Sequence, residues 1–331
     1  MSKLLHIVLA AVCAGLLLGP GPGAAQPYPS RPIRVIVPAA PGGGIDILAR
    51  IVGQKLSESW GQPVVIENRA GASGSIGATL AARAAPDGYT LLMASTGTLM
   101  AVATASPDGS VPAGPFEVRR ELTPITLVAA PPYLLVIHPS LAAGSVAELI
   151  ALAKARQGTL NYGSSGSGAA SHLSAELFNA IAGLDMVHVP YKGQGQAVAD
   201  LLAGQVQLMF SPAPPVTPHI RAGSLRALAV TGAKRSAFEA SLPTIGEAGL
   251  PGYEATGWFG LLGPANLPAE LVQRLNSEVI RILALDDVRT RLAQLGAEPA
   301  PSTADGFTRY INDDIGKWLK LIRDLGIKME N

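Results

Sequence analysis

The sequence predicts an α/β protein of two modules, each a parallel-rich sheet flanked by helices. Strand-like and helix-like periodicities alternate along most of its 331 residues, the signature of helices packed on open sheets. Two glycine-rich segments, PAAPGGGIDILAR (38–50) and NYGSSGSGAASHL (161–173), each follow a strand-like stretch and open into an apolar-periodic helix. The length suits two domains once the N-terminal segment is set aside.

That segment has Lys3, an apolar run from Ile7 to Leu18 and small residues ending Gly23, Ala24, Ala25. These are the n-, h- and cleavage regions of a secretory signal peptide. Cutting before Gln26 leaves about 306 residues. The apolar core is too short for a permanent span, and no later stretch reaches the ~20 apolar residues a spanning helix needs. The single cysteine, Cys13, lies in the h-region. The exported chain is thus expected to have no disulfide, thiol nucleophile or thiolate metal site.

In the first module, Arg34 to Val37 reads as a strand, and Ile45, Leu48, Ile51, Val52 and Leu56 follow at helical spacing. Val64 to Glu67 is the next strand, then the small-residue turn NRAGASGSIG and a helix over Ala78 to Ala84. Asp87-Gly88 is a turn before a buried strand, Tyr89 to Met93, that ends at Ala94, Ser95 and Thr96. This β-α-β-α-β order predicts parallel strands with helices on both faces. Asp108 to Arg120 breaks the pattern with Pro, Gly and charge and reads as a surface loop.

Ile125 to Ala129 and Leu134 to Ile137 resume strand character. Ser145 with Glu148 makes a capping box for a helix through Ala155. After the second glycine segment and its helix come a strand at Asp185 to Val189, a helix at Gln196 to Ala203, and strands at Val206 to Phe210 and Leu225 to Val230. Three helices finish the chain: Pro268 to about Leu283, Asp287 to Leu295, and Ala304 to Leu325. They must pack on an existing module, so the chain is expected to cross back near Tyr253 to Pro264.

A net charge of +1, with no basic run longer than two residues, argues against nucleic acid. Each glycine segment places a helix N-terminus, with its unpaired N–H groups and partial positive charge, where a ligand can reach it. No paired nucleophile and base, metal cluster or phosphate-loop lysine stands nearby, which points to capture of a small anion.

The series PAAPGGGIDILAR, ENRAGASGSIG, PDGYTLL, NYGSSGSGAASHLSAELF, VPYKGQGQAVADLLAGQVQLMF, LPTIGEAGLPGYE and WFGLLGPANLP closely resembles the Bug, or TctC-type, periplasmic solute receptors of tripartite tricarboxylate transport systems. The resemblance covers nearly the whole exported chain. It implies a two-lobed periplasmic-binding-protein fold, type II-like, with residues 26–128 and 254–331 as one lobe and 129–253 as the other. It also implies a monomer that closes around a small carboxylate and passes it to membrane permease subunits, with no cofactor and no catalysis. Some such receptors serve sensing instead.

Carried over residue by residue, the family pocket places Pro41, Gly42, Gly43 and Gly44 on one side of a ligand carboxylate. Ser164, Ser165, Gly166, Ser167 and Gly168 stand on the other, with Ser95 and Thr96 at a strand's carboxyl end. Asp46 sits in a first helical turn, where it complements the dipole but would repel an anion. His172 could donate to an anion or pack as a core histidine. Tyr191 and Lys192 are candidates for the cleft mouth, with Lys192 solvated. Trp258 and Phe259 fall at the crossing. Glu67, Asn68 and Arg69 read as a charged loop cluster with an internal salt bridge. Ser211 stands where many members have aspartate, so a recognition element for a ligand amino or distal group is expected to be missing.

The rival class is a secreted serine hydrolase, given Ser164, Ser165 and Ser167 beside His172. The spacing fails, because a nucleophile elbow needs G-x-S-x-G and Gly163-Ser164-Ser165-Gly166 is followed by Ser167. A dinucleotide site is also weak, since Ser171 takes the third glycine position.

Overall fold

The computed structural model describes residues 28–103, 118–236, 239–294 and 296–325. The segment read as a signal peptide and most of the stretch read as a 108–120 loop lie outside them. The last residues of that loop, Val118–Glu121, form a helical turn.

The first lobe is built on β1 (Ile33–Val37), α1 (Gly44–Trp60), β2 (Val64–Asn68), α2 (Ser75–Ala82), β3 (Thr90–Ser95) and α3 (Thr96–Ala103). After the helical turn, α4, comes β4 (Leu122–Ala129). The second lobe holds β5 (Tyr133–Ile137), α5 (Val146–Ala155), β6 (Asn161–Ser164), α6 (Ala170–Ala182), β7 (Val187–Pro190), α7 (Gln194–Leu202), β8 (Leu208–Pro212), α8 (Ala213–Arg221) and β9 (Arg226–Val230). The chain then returns through β10 (Phe259–Pro264) and ends in α9 (Ala269–Leu283), α10 (Asp286–Gln294) and α11 (Ala304–Leu325).

The two five-stranded sheets run β2-β1-β3-β10-β4 and β7-β6-β8-β5-β9. In the first, β1 pairs parallel with β2 and β3, as the β-α-β-α-β order predicts. Both sheets are nonetheless mixed: β10 is antiparallel to β3 and β4, and β5 to β8 and β9. The crossings explain this. Phe259 opens β10 opposite Ser95, where β3 ends, and Tyr133 opens β5 opposite Pro212, where β8 ends. A strand that enters its sheet from the cleft must run against neighbours that point toward it.

Period-2 alternation divides the first lobe's core. Val35, Val37, Leu91, Met93 and Leu261 face α1, α9 and α10, while Ile36, Leu92, Ala94 and Leu262 face α2, α3 and α11. The α9 stripe of Leu275, Val279, Ile282 and Leu283 follows helical spacing and is buried. The second of these cores continues into the other lobe through α6 and its Phe178 and Leu173. At that junction Trp258 meets the Phe307 ring edge-on at 5.3 Å, and its Nε1 donates to Asp314 at 2.7 Å.

Three elements escape the periodicity reading. α3 follows β3 without a loop, so its apolar residues read as the strand's end. α8 carries Pro214, Pro215 and Pro218, which read as breakers. Two of them sit in the first turn, where no intrahelical N–H is needed. β10 lies inside the stretch taken for a crossing.

Candidate functional site

Between the lobes lies a cavity of about 410 Å³. Six helices begin on it: α1 brings Gly43 and Gly44, α2 brings Gly74 and Ser75, α3 brings Ser95, Gly97 and Thr98, α6 brings Ala169 and Ala170, α7 brings Gln194, and α8 follows Pro212. The starts of α1, α2, α6 and α7 have no side-chain cap on their N-terminal N–H groups, whereas at α3 Ser95 Oγ accepts the Thr98 N–H at 3.3 Å and α8 opens on prolines that have no N–H to offer. Away from the cleft, Ser145 caps α5 by accepting from the Glu148 N–H. The four uncapped cleft-facing starts therefore keep donors and partial positive charge available to a ligand.

The first glycine loop is fixed from behind. Gly42 takes φ +87, a value that favours glycine, and its N–H donates to Asp46 Oδ2 at 3.0 Å. The same carboxylate accepts from Arg50 Nε at 3.0 Å and from Asn68 Nδ2 at 2.9 Å. Burial opposes its ionisation, but the Arg50 guanidinium, the Gly42 N–H and the Asn68 amide outweigh this and hold Asp46 below the usual carboxylate range. Asn68 also donates to the Ala39 carbonyl at 3.0 Å. Glu67 pairs with Arg34 and Arg69, so that cluster is an internal ion pair.

The second loop rests on two histidines. Ser164 Oγ lies 2.6 Å from His188 Nε2 and accepts the Gly166 N–H at 3.1 Å. His172 Nδ1 accepts the Gly168 N–H at 3.1 Å. The two imidazoles stack at 4.1 Å, with Tyr162 stacked on His188 at 5.0 Å. Burial lowers His188 to about 4 and, with His188 adding to it, His172 to about 3. Both rings are neutral at physiological pH, as an Nδ1 acceptor requires.

Of the residues expected at the ligand, Gly43, Gly44, Ser95, Ser165, Gly166, Ser167 and Tyr191 line the cavity. Tyr191 presents its ring, because its hydroxyl donates to Asp200 at 2.7 Å; burial and that carboxylate push it up to about 12. Pro41, Gly42, Asp46, Ser164, Gly168 and His172 do not line the cavity: Pro41 and Gly42 are exposed parts of the first loop, while Asp46, Ser164 and His172 are buried and hold the two loops through the hydrogen bonds above. Thr96 is buried, its Oγ1 accepting the Trp258 N–H at 3.3 Å. Ser211 is fully enclosed and donates to the Pro212 carbonyl. Lys192 and Phe259 line the cavity, whereas Trp258 belongs to the core.

Sequence reasoning missed Tyr133, Gln194, Thr98 and the NRAGASG turn, whose Gly71, Ala72 and Gly74 form part of the wall. Ala72 holds φ +44 there, left-handed and uncommon for a residue with a side chain. The signal was present: that turn is a third small-residue junction from strand to helix.

The lobes touch around the cavity. A β-carbon on Gly97 would fall 2.7 Å from Ala169 Cα, and one on Gly195 2.8 Å from the Pro41 carbonyl. The Ala40 N–H donates to the Lys192 carbonyl across the cleft at 3.3 Å.

The family profile described as tripartite tricarboxylate transporter family receptor, TctC, matches residues 48–327. The chain belongs to the TctC family. BugT of Bordetella pertussis is 38% identical over 331 residues, all of this chain and 99% of that protein. The solved structure of R. palustris Rpa4515 with adipate has a TM-score of 0.85 at 37% identity, covering 90% of this chain and 98% of the other. MatC (Rpa3494) from Rhodopseudomonas palustris with bound malate gives 0.82 at 32%, covering 89% and 100%. This TctC receptor is thus a two-lobed solute-binding protein, and its family and these neighbours are receptors.

Proposed function

We propose that this receptor binds a small organic carboxylate between its lobes, through backbone N–H groups and hydroxyls of its glycine-rich loops. Delivery to tripartite tricarboxylate transporter permease subunits in the periplasm follows. The convergence of four helix N-termini without side-chain caps on one cavity carries this reading. Such ends stabilise negative charge by about 0.3–1 kcal/mol each when exposed and more when partly buried. Rpa4515 and MatC, solved with adipate and malate, support it. Residues 26–128 with 254–331, and 129–253, serve as the two closing lobes, and closure follows because the ligand binds the closed state better. The chain acts as a monomer, without catalysis.

Thermal unfolding against a panel of small carboxylates, each paired with its amide, tests this. Ligand at a hundred times its Kd adds ~2.7 kcal/mol, a shift of several degrees at ~2–4 °C per kcal/mol. Stabilisation by an acid and not by its amide is the expected result. Equal response to both, or to neither across the panel, overturns the reading.

A further inference from the structure

The second loop spends most of its N–H groups inside its own lobe. Ser165 N–H donates to Ser171 Oγ at 3.0 Å, Gly166 N–H to Ser164 Oγ at 3.1 Å and Gly168 N–H to His172 Nδ1 at 3.1 Å. The Ala169 N–H closes a turn onto the Gly166 carbonyl at 3.1 Å. Ser165, Gly166 and Ser167 line the cavity, so these bonds set which atoms of the loop meet a solute. Gly166 is the pivot. Its φ of +131 is a conformation that residues with side chains rarely adopt, so the chain turns there and needs a partner to fix the turn.

That partner is Ser164, which is fully buried and whose hydroxyl meets three groups: the Gly166 N–H at 3.1 Å, the Gly166 carbonyl at 3.2 Å and His188 Nε2 at 2.6 Å. A hydroxyl has one proton and two acceptor lone pairs. All three contacts are satisfied together when His188 carries its proton on Nε2 and donates to Ser164, which leaves the hydroxyl proton for the Gly166 carbonyl. The other tautomer would draw the Ser164 proton to His188 and leave the carbonyl contact unmade. It would also strand a buried N–H, because His188 Nδ1 has no hydrogen-bond partner among the described residues. Burial keeps the ring neutral, with a single proton to place. The titratable groups stacked with it are His172 at 4.1 Å and Tyr162 at 5.0 Å, and the Tyr162 hydroxyl donates to Glu176.

We propose that His188 is a positioning residue for solute binding: as the Nε2–H tautomer it donates to Ser164, and Ser164 in turn grips both backbone groups of Gly166, which fixes the Ser165–Ser167 face of the cleft. His172 holds Gly168 beside it in the same tautomer, since its Nδ1 is an acceptor. Neither ring lines the cavity, so both act on a solute only through the loop.

Nitrogen NMR on the exported protein with labelled histidine tests this without any ligand. At neutral pH His188 should show a protonated Nε2 and a bare Nδ1, its signals assigned by their loss in His188→Gln. A protonated Nδ1 overturns the proposal. Amide exchange at Gly166 should be slow in wild type and in His188→Gln, whose side-chain amide can still donate to Ser164. It should be about tenfold faster in His188→Phe, which keeps a stacked ring without the donor. Equal protection in all three overturns the route through Ser164. Resting on the carboxylate reading above, calorimetry with adipate and malate should find His188→Phe about tenfold weaker, the scale of one lost hydrogen bond, and His188→Gln near wild type. Unchanged affinity in His188→Phe, or the same loss in both variants, overturns the positioning role. A wild-type chain that binds neither acid overturns the carboxylate reading instead, and the tautomer and the exchange rates still decide the role of His188.

Discussion

Asp46 accepts from Gly42 at 3.0 Å and from Arg50 and Asn68 as well, so its removal frees the first glycine loop and leaves a guanidinium without its partner. Asp46→Ala should cost about 1–3 kcal/mol of folding stability, read by urea denaturation, and weaken the ligand in step. An unchanged midpoint would show that the loop holds its shape unaided. The histidine pair behind the second loop gives a pH signature. In the unfolded chain both rings protonate near ~6.5, while the folded chain refuses protons until about 4 at His188 and about 3 at His172. The unfolded state therefore binds more protons below ~6.5, and stability should fall as pH drops from there toward 4 and level off above. His188→Gln should flatten that fall in melting curves taken across the window. A slope equal to wild type would assign the acid sensitivity elsewhere. The sequence showed that Asp46 and His172 lie near the ligand loops. It could not show which way they turn, because that depends on Arg50, Asn68 and His188 arriving from separate elements.

Glycines decide how closely elements approach. Gly260 of β10 lies under Phe307 of α11, and a β-carbon there would fall 2.1 Å from the ring. Gly260→Ala should lower stability by about 1–3 kcal/mol through overpacking, measured by chemical denaturation; a neutral result would mean that α11 shifts freely on its sheet. Gly195 in α7 separates folding from closure. Alanine suits a helix better than glycine there, yet its β-carbon would press on the Pro41 carbonyl of the other lobe at 2.8 Å. Gly195→Ala should keep or raise the unliganded melting temperature while weakening ligand by about tenfold, ~1.4 kcal/mol against the closed state. Unchanged affinity would place that contact outside the closing surface. At this level the glycine-opened helices α1 and α6 were legible, since a strand, a glycine turn and an apolar stripe are all local. α8 was not, because prolines break most helices and are harmless in a first turn. β10 was not, because six residues that complete a distant sheet look like a linker.

The cleft is closed by short-range contacts between Gly97 and Ala169, and between Gly195 and Pro41, with a long backbone bond from Ala40 to Lys192. These contacts add to the core that continues between the lobes through α6, and a ligand that binds the closed arrangement better shifts the population toward it. Small-angle scattering should show the radius of gyration falling when a bound acid is added, and a constant radius would count against hinge closure.

From the sequence alone came the alternating α/β order, the two glycine-opened helix starts and the family likeness, since each rests on periodicity or spacing within a few dozen residues. The tertiary structure alone decided the mixed direction of both sheets, the burial of Thr96 and Ser211 away from the cavity wall, and the arrival of Tyr133, Gln194 and the NRAGASG turn in that wall. Those outcomes depend on where two crossings enter the sheets and on which side chains meet across the cleft, and both bring together residues far apart in the chain.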